Sequence, residues 1–352
     1  AGLTYATLTS PHFVRFNERI QLHGEPVSDD ALCGSFERVN QARYDAQGVA
    51  TALTYFEFNA LLAFDLMQRA NLDVAILEIG LGGRLDAVNL IDADVAIVTS
   101  ISVDHVDWLG DNIDLIGREK AGVYRTAKPA IVGALDCPSS VADYAHEIGA
   151  QCLQNGVDFE LVANQWTNKA GLSMTLPNVS LPPMNVAAVV QAVVSLSFEI
   201  DAQDIAQGLA NARLMGRFQR LEWQGKQVIL DVAHNPQAAQ NLALELAKEH
   251  CEGKTIAVLA MLSDKDYPQV ITALSGRFDQ WMLSSSEGLR GLLSSELGQQ
   301  LSLNAVADAQ FDTFNTPTEA FAAAIAAAAP VDRVIVFGSF VTVGDVLALV
   351  EG

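Results

Sequence analysis

With 352 residues, half of them hydrophobic and 18% charged, the chain is long enough for two domains of ordinary size with substantial cores. Asp and Glu outnumber Lys and Arg by 42 to 21, and the formal net charge of −21 argues against nucleic acid or an anionic membrane surface as a partner. No run of 18 or more apolar residues occurs, so no transmembrane helix is expected. Cys33, Cys137, Cys152 and Cys251 are scattered without disulfide or zinc spacing, which suggests reduced thiols in a cytoplasmic protein. An anionic substrate would have to be held by local positive groups against the overall field.

The first residues, Ala1-Gly2-Leu3, carry no initiator Met and no signal-like stretch, as if the chain began inside a domain. A short strand is expected over residues 5–9, ending at Ser10-Pro11-His12, so Ser10 is a polar group at a strand end. Helices are expected over 30–44 and 54–70, the second with Phe56, Leu61, Leu62, Phe64, Leu66 and Met67 on its apolar face. Thr54, Tyr55, Phe56 and Glu57 open that helix, where backbone N–H groups and the dipole could receive an anion. Capping by Thr54 explains the same residues structurally.

The stretch 71–122 speaks most clearly about function. Runs rich in Val and Ile at 73–77 and 93–100 predict strands buried on both faces of a parallel sheet. Ligands bind at the carboxyl ends of such strands, and Glu78 and His105 fall at the ends of these two successive strands. Together they could share a cation, with oxygen-rich coordination favouring magnesium. Taken singly, each is also explained as a solvated carboxylate or a hydrogen-bonded imidazole. The turn Gly80-Leu81-Gly82-Gly83-Arg84 resembles a dinucleotide fingerprint, but Leu85 stands where the third glycine belongs. The glycines then serve a tight backbone turn beside a ligand. Arg118-Glu119-Lys120-Ala121-Gly122 is expected to open a helix. Lys120 is either an ordinary solvated lysine or, near a cation, an amine carbamylated by carbon dioxide.

Further on, a strand at 130–133, a helix at 140–149 and a small β excursion over 159–181 are expected. A helix at 186–196 follows, with Asn185 at or near its N-cap, where a plain capping role is the alternative. Gly216-Arg217-Phe218 reads as a linker. Alternation then restarts with strands at 227–232, 255–261, 280–284 and 333–337 and helices at 236–250, 267–274 and 320–329, a second, Rossmann-like sheet. In its first strand-to-helix turn, Asn235 as N-cap and Pro236 at the first helical position explain themselves. Asp231 and His234 do not.

Several segments together resemble the bacterial folylpolyglutamate synthase/dihydrofolate synthase family of the Mur ligase superfamily. They are Ser10-Pro11-His12-Phe13 with Arg15-Phe16-Asn17-Glu18-Arg19, Thr54-Tyr55-Phe56-Glu57, Glu78 through Asp86, Ser102-Val103-Asp104-His105, and Arg118 through Gly122. In the second half come Gly216-Arg217-Phe218-Gln219, Asp231 through Pro236, and Gly338-Ser339-Phe340. They fall in family order over nearly the whole chain.

The resemblance implies an α/β protein: a P-loop-type Mur ligase central domain over 1–215, truncated at its N-terminus, and a C-terminal Rossmann-like glutamate-ligase domain over 216–352. It implies a cytoplasmic, monomeric ATP- and magnesium-dependent ligase of folate biosynthesis, adding L-glutamate to dihydropteroate and to folates through an acyl phosphate. By the same resemblance Ser10, Glu78 and His105 would be magnesium ligands, and His105 and a carbamylated Lys120 would stand at the chemistry. Asn185, Arg217 and Asp231, with His234 close by, would contact ATP. Thr54, Tyr55, Phe56, Glu57, Leu85, Asp86 and Ala87 would line the pteroate site, with Asp264-Lys265-Asp266 and Ser339 as candidates for glutamate. One departure stands out: the family's glycine-rich phosphate loop, G-T-N-G-K-G-S, upstream of Ser-Pro-His, does not occur in this sequence. That leaves a non-catalytic remnant binding pterin or nucleotide, or another Mur-type amino acid ligase, as the alternatives.

Overall fold

The computed structural model describes residues 2–102, 106–179, 181–212, 214–288, 290–303 and 310–351. The chain divides into two compact units, one of Ala1–Ser10 with Asn17–Ala212, the other of Pro11–Phe16 with Arg213–Gly352.

In the first unit, β1 (Tyr5–Leu8) is the pivot of a four-stranded sheet. It pairs antiparallel with β2 (Ile20–Leu22), which continues to the two-residue β3 (Glu25–Pro26). On its other side it pairs in parallel with β4 (Val74–Leu77), Leu8 opposite Leu77. Two helices precede β4. Helix α1 (Asp29–Ala42) starts where the Ser28 hydroxyl accepts from the Ala31 N–H. Helix α2 (Tyr55–Arg69) starts at a capping box: Thr54 Oγ1 accepts from the Glu57 N–H, and Glu57 Oε2 accepts from the Thr54 N–H. The pair is clamped by Arg38, which donates to both oxygens of Asp65, while Arg69 one turn on donates to Oδ1 as well.

The strand after the glycine turn lies elsewhere. Strand β5 (Ala96–Val98) is the edge of a separate parallel sheet, β5-β6-β7, with β6 at Pro129–Val132 and β7 at Gln151–Gln154. The expectation that the strands bearing Glu78 and His105 adjoin in one sheet is therefore corrected. Strand β4 is an edge strand with Ala75 and Ile76 exposed, Ile76 by 55%, rather than buried on both faces. A Val/Ile run marks a strand but does not say which neighbour it takes.

Between β5 and β6 run the short α3 (Val106–Leu109) and α4 (Ile113–Ala121). Asn112 caps α4 through the Asp114 and Leu115 N–H groups, so Arg118-Glu119-Lys120 occupies its last turn, not its first. Cations there complement the carbonyl end of the helix. Helix α5 (Ser139–Glu147) precedes β7. The expected excursion is a three-stranded meander of β8 (Phe159–Val162), β9 (Gln165–Asn168) and β10 (Ser173–Thr175). Helix α6 runs over Pro183–Ser195 and α7 over Ala202–Asn211. Asn185 is thus the third residue of α6, not its cap; Pro183, with its fixed φ, starts the helix earlier.

The second unit is a six-stranded sheet of order β11-β12-β16-β13-β14-β15, all parallel but for β11. Its strands are β11 (Gln219–Trp223), β12 (Lys226–Asp231), β13 (Thr255–Leu259), β14 (Gln280–Ser284), β15 (Gln310–Phe314) and β16 (Arg333–Phe337). Period-two alternation divides each strand between two cores. Ile335 and Phe337 of β16 face α8 (Pro236–Lys248), α9 (Tyr267–Ala273) and α10 (Ser294–Leu303), while Val334 and Val336 face α11 (Pro317–Ala327) and α12 (Phe340–Glu351). The last strand enters between β12 and β13, and such a reversal of strand order opens a crevice at the carboxyl ends.

Candidate active site

Parallel pairing of β1 and β4 brings their carboxyl ends out side by side. The Glu78 N–H donates to the Leu8 carbonyl at 2.9 Å, and the Ser10 N–H donates to Glu78 Oε2 at 2.7 Å. Ser10 and Glu78, 68 positions apart in sequence, are thereby held together. His105 lies outside the described residues.

The glycine turn is shaped by close approach. A Cβ on Gly83 would lie 2.6 Å from the Lys120 carbonyl oxygen and 2.7 Å from that of Glu119, so only glycine lets the turn seat on the last turn of α4. The Arg84 N–H then donates to the Glu119 carbonyl at 2.9 Å, and the Arg84 guanidinium pairs with the Glu119 carboxylate at 3.0 Å. These contacts fix the backbone of Lys120. Asp86 ties the turn from inside, accepting from the N–H groups of Gly80, Leu81 and Val88 at 3.1, 2.9 and 2.8 Å. The Phe56 ring abuts Gly80, where a Cβ would meet its Cζ at 2.3 Å.

Between this turn and α2 is a cleft of about 430 Å³ whose lining includes Glu57, Leu85, Asp86 and Ala87. Sequence reasoning missed its apolar wall, Leu53, Leu61, Phe64 and Leu90, because an apolar helical stripe reads as core. Thr54, Tyr55 and Phe56 are not part of this lining. Thr54 serves as the cap, and Tyr55 is exposed with the Arg19 guanidinium 5.6 Å from its ring. The Thr54 N–H holds the Glu57 carboxyl below its ordinary pKa.

In the second unit, Asp231 ends β12 and Phe340 follows β16, the neighbouring strand. Asp231 Oδ2 accepts from the Phe218 N–H and Oδ1 from the Ala233 N–H, both at 2.8 Å. Burial pushes the Asp231 carboxyl up, against the pull of those two N–H groups and of the nearby Arg217. Phe218 is buried with φ of 45°, and the Val232 N–H donates to the Gly216 carbonyl, so the expected linker is built into this unit. His234 Nδ1 sits 2.7 Å from the Val232 carbonyl, which can only accept, so the proton is on Nδ1. The Phe340 ring is a hub: Arg217 lies over it at 5.4 Å and the His234 ring is 6.3 Å away.

The residues weighed for glutamate are engaged in the fold. Ser339 is buried and accepts from the Thr342 N–H, Asp264 takes Arg290 on both oxygens, and Asp266 caps α9.

A family model, "Mur ligase, glutamate ligase domain", matches residues 216–340, the stretch holding Arg217, Asp231 and His234. The dihydrofolate synthase/folylpolyglutamate synthase of Escherichia coli is 39% identical over 355 residues, covering 100% of this chain and 81% of that protein. The chain belongs to the dihydrofolate synthase/folylpolyglutamate synthase family. Its relative from Haemophilus influenzae is 36% identical, covering 99% of this chain and 83% of the relative. Among solved structures, E. coli FolC in complex with DHPP and ADP superposes with a TM-score of 0.91 at 39% identity, covering 100% of this chain and 83% of that one. The Yersinia pestis enzyme with AMPPNP and Mn ion gives 0.90 at 41%, again covering 100% and 83%. The α/β architecture is that of this Mur ligase family.

Members of the family are ligases that use ATP and a divalent cation, and the Ser10–Glu78 pair suits such a cation. Both side chains offer oxygen alone, and the Ser10 N–H occupies Glu78 Oε2. Magnesium takes one or two protein oxygens and keeps its waters. Among the described residues no cluster of three or more His, Cys, Asp or Glu side chains forms an alternative centre.

Proposed function

We propose that this protein joins L-glutamate to dihydropteroate and to folates, using ATP. The pterin-linked carboxylate attacks the γ-phosphate, ADP leaves, and the amine of L-glutamate displaces phosphate from the acyl phosphate to form the amide. Magnesium, when bound, neutralises phosphate charge during transfer.

This chain's own residues supply position. Ser10 and Glu78 would hold the cation, with His105 assigned by resemblance. The cleft beside the glycine turn would take the pterin, its apolar wall against the ring and Glu57 at the rim. Asp86 shapes the cleft by tying the turn. Arg217, Asp231 and His234 would hold the nucleotide around Phe340, with Asn185 added by resemblance. Lys120, seated by Gly83, would face the cation, carbamylated or not. By the family resemblance the reaction is assigned to the cytoplasm and the protein to a monomer; no described helix is long and apolar enough to cross a membrane.

The observation that carries this reading is the 39% identity extending over 100% of the chain. Its test is L-glutamate-dependent release of ADP, first with dihydropteroate and then with tetrahydrofolate. Turnover with both is expected; absence of release with either acceptor overturns the reading.

A further inference from the structure

Beside the cleft at the glycine turn lies a larger one of about 880 Å³, formed by the end of α1, the loop to α2 and the far half of α2. Leu53, Leu61 and Phe64 line both, so the two are neighbours across one apolar wall. Both clefts belong wholly to the first unit. The lining of the larger one carries three guanidiniums, those of Arg38, Arg43 and Arg69, against the single carboxylate of Asp65. This occurs in a chain whose acids outnumber its bases by 42 to 21.

The guanidiniums are held in place without being used up. Arg38 donates to Asp65 through Nε and Nη2, and Arg69 through Nε at 3.0 Å. Arg43 donates through Nε to Asn40 Oδ1 at 2.8 Å and lies 5.2 Å over the Tyr44 ring. Among the described residues Nη1 of each makes no hydrogen bond. Arg43 and Arg69 stand at the carbonyl ends of α1 and α2, which accounts for a cation at each helix end but not for three lining one cleft. Planar guanidiniums fixed in this way bind carboxylates by paired hydrogen bonds at little ordering cost. The cleft also leads away from the chemistry. The Phe56 ring at the start of α2 abuts Gly80, just beyond β4, whereas Arg69 closes α2 shortly before β4 begins at Val74. Helix α2 therefore runs antiparallel to β4, and about 20 Å of helix separates Phe56 from Arg69.

We propose that the arginine-lined cleft is a subsite for the glutamyl tail of a folate whose ring occupies the neighbouring cleft, held as product rather than as acceptor. This rests on the reading of the protein as a ligase that glutamylates folates. Each turnover of that reaction adds one free carboxylate, so its products, unlike dihydropteroate, carry several acidic groups on one chain. A tail laid along α2 toward Arg69 puts those groups on the guanidiniums. It also carries the end of the tail away from the Ser10–Glu78 pair, where an acceptor carboxylate would react. Longer products therefore occupy the ring cleft unproductively and compete with fresh acceptor.

The test is isothermal titration calorimetry on the full chain without ATP, with pteroylmonoglutamate and pteroyltriglutamate as ligands, for wild type, Arg43→Gln and Arg69→Gln. Wild type should bind the triglutamate about ten-fold more tightly than the monoglutamate, and each variant should lose most of that ratio. The ratio should shrink as NaCl is raised from about 20 to about 300 mM, and it should be the same with Mg²⁺ or with EDTA. Equal affinity for the two ligands in wild type, or a ratio unchanged in both variants, would overturn the proposal and leave the ligase reading intact. A ratio that exists only with Mg²⁺ would put the tail at the cation pair and overturn it as well. Failure of wild type to bind either ligand, together with no release of ADP, would sink the ligase reading and this proposal with it.

Discussion

At Asp65, two guanidinium groups converge on one carboxylate, with Arg38 the principal partner and Arg69 the second. Hydrogen bonding by Arg38 is the largest cause holding the Asp65 carboxyl far below the usual range, against the opposing effect of burial. A depressed carboxylate stabilises the fold above its unfolded pKa of about 3.9 and loses that contribution as pH falls through the folded value. Asp65→Asn should therefore cost about 2 kcal/mol at pH 7. The difference from wild type should narrow as pH drops below about 4. Urea midpoints at pH 7, 5 and 3.5 would check this, and a pH-independent difference would refute it. Asp231 has the opposite sign: burial raises its pKa, so its ionised form opposes folding above that pKa and relief comes as pH falls.

At the scale of elements, the contact between the glycine turn and α4 places Lys120, and a single methyl group tests it. Gly83→Ala would thrust Cβ into the Lys120 and Glu119 carbonyls. It should destabilise by about 1–3 kcal/mol and lower kcat through displacement of Lys120. Gly208→Ala in α7 meets nothing within 4 Å at ordinary φ and should stabilise by about 0.5–1 kcal/mol. Thermal melts of the two variants should move in opposite directions. Equal and small shifts would mean that the turn yields without strain and that Lys120 is not seated by it.

At the scale of the molecule, the charge of −21 is a field that both substrate anions and the fold must overcome. Raising NaCl from about 10 mM to about 150 mM shortens the Debye length from roughly 30 to 8 Å. The melting temperature should rise over that interval and level off beyond it. A flat response would show the carboxylates to be already compensated by pairs such as Arg125–Asp92 and Lys128–Asp94.

Much of this was legible in sequence. Apolar runs and the alternation of strands with helices marked the second sheet, caps such as Thr54 and Asn235 marked helix starts, and motif order carried the family. Residue type and short spacing determine these, because caps, turns and apolar runs are local. The pairing of Ser10 with Glu78 required the parallel register of β1 and β4, and the separation of β4 from β5 required knowing each strand's neighbours. Lys120 proved to close a helix because Asn112, not the basic run itself, begins it. The arginine-lined cleft left no sequence signal: Arg38, Arg43 and Arg69 share one lining only once α1 has packed on α2. The local chemistry of each segment follows from its own residues; only the tertiary structure decided which segments meet, because such contacts join positions far apart in the chain, and no local pattern encodes them.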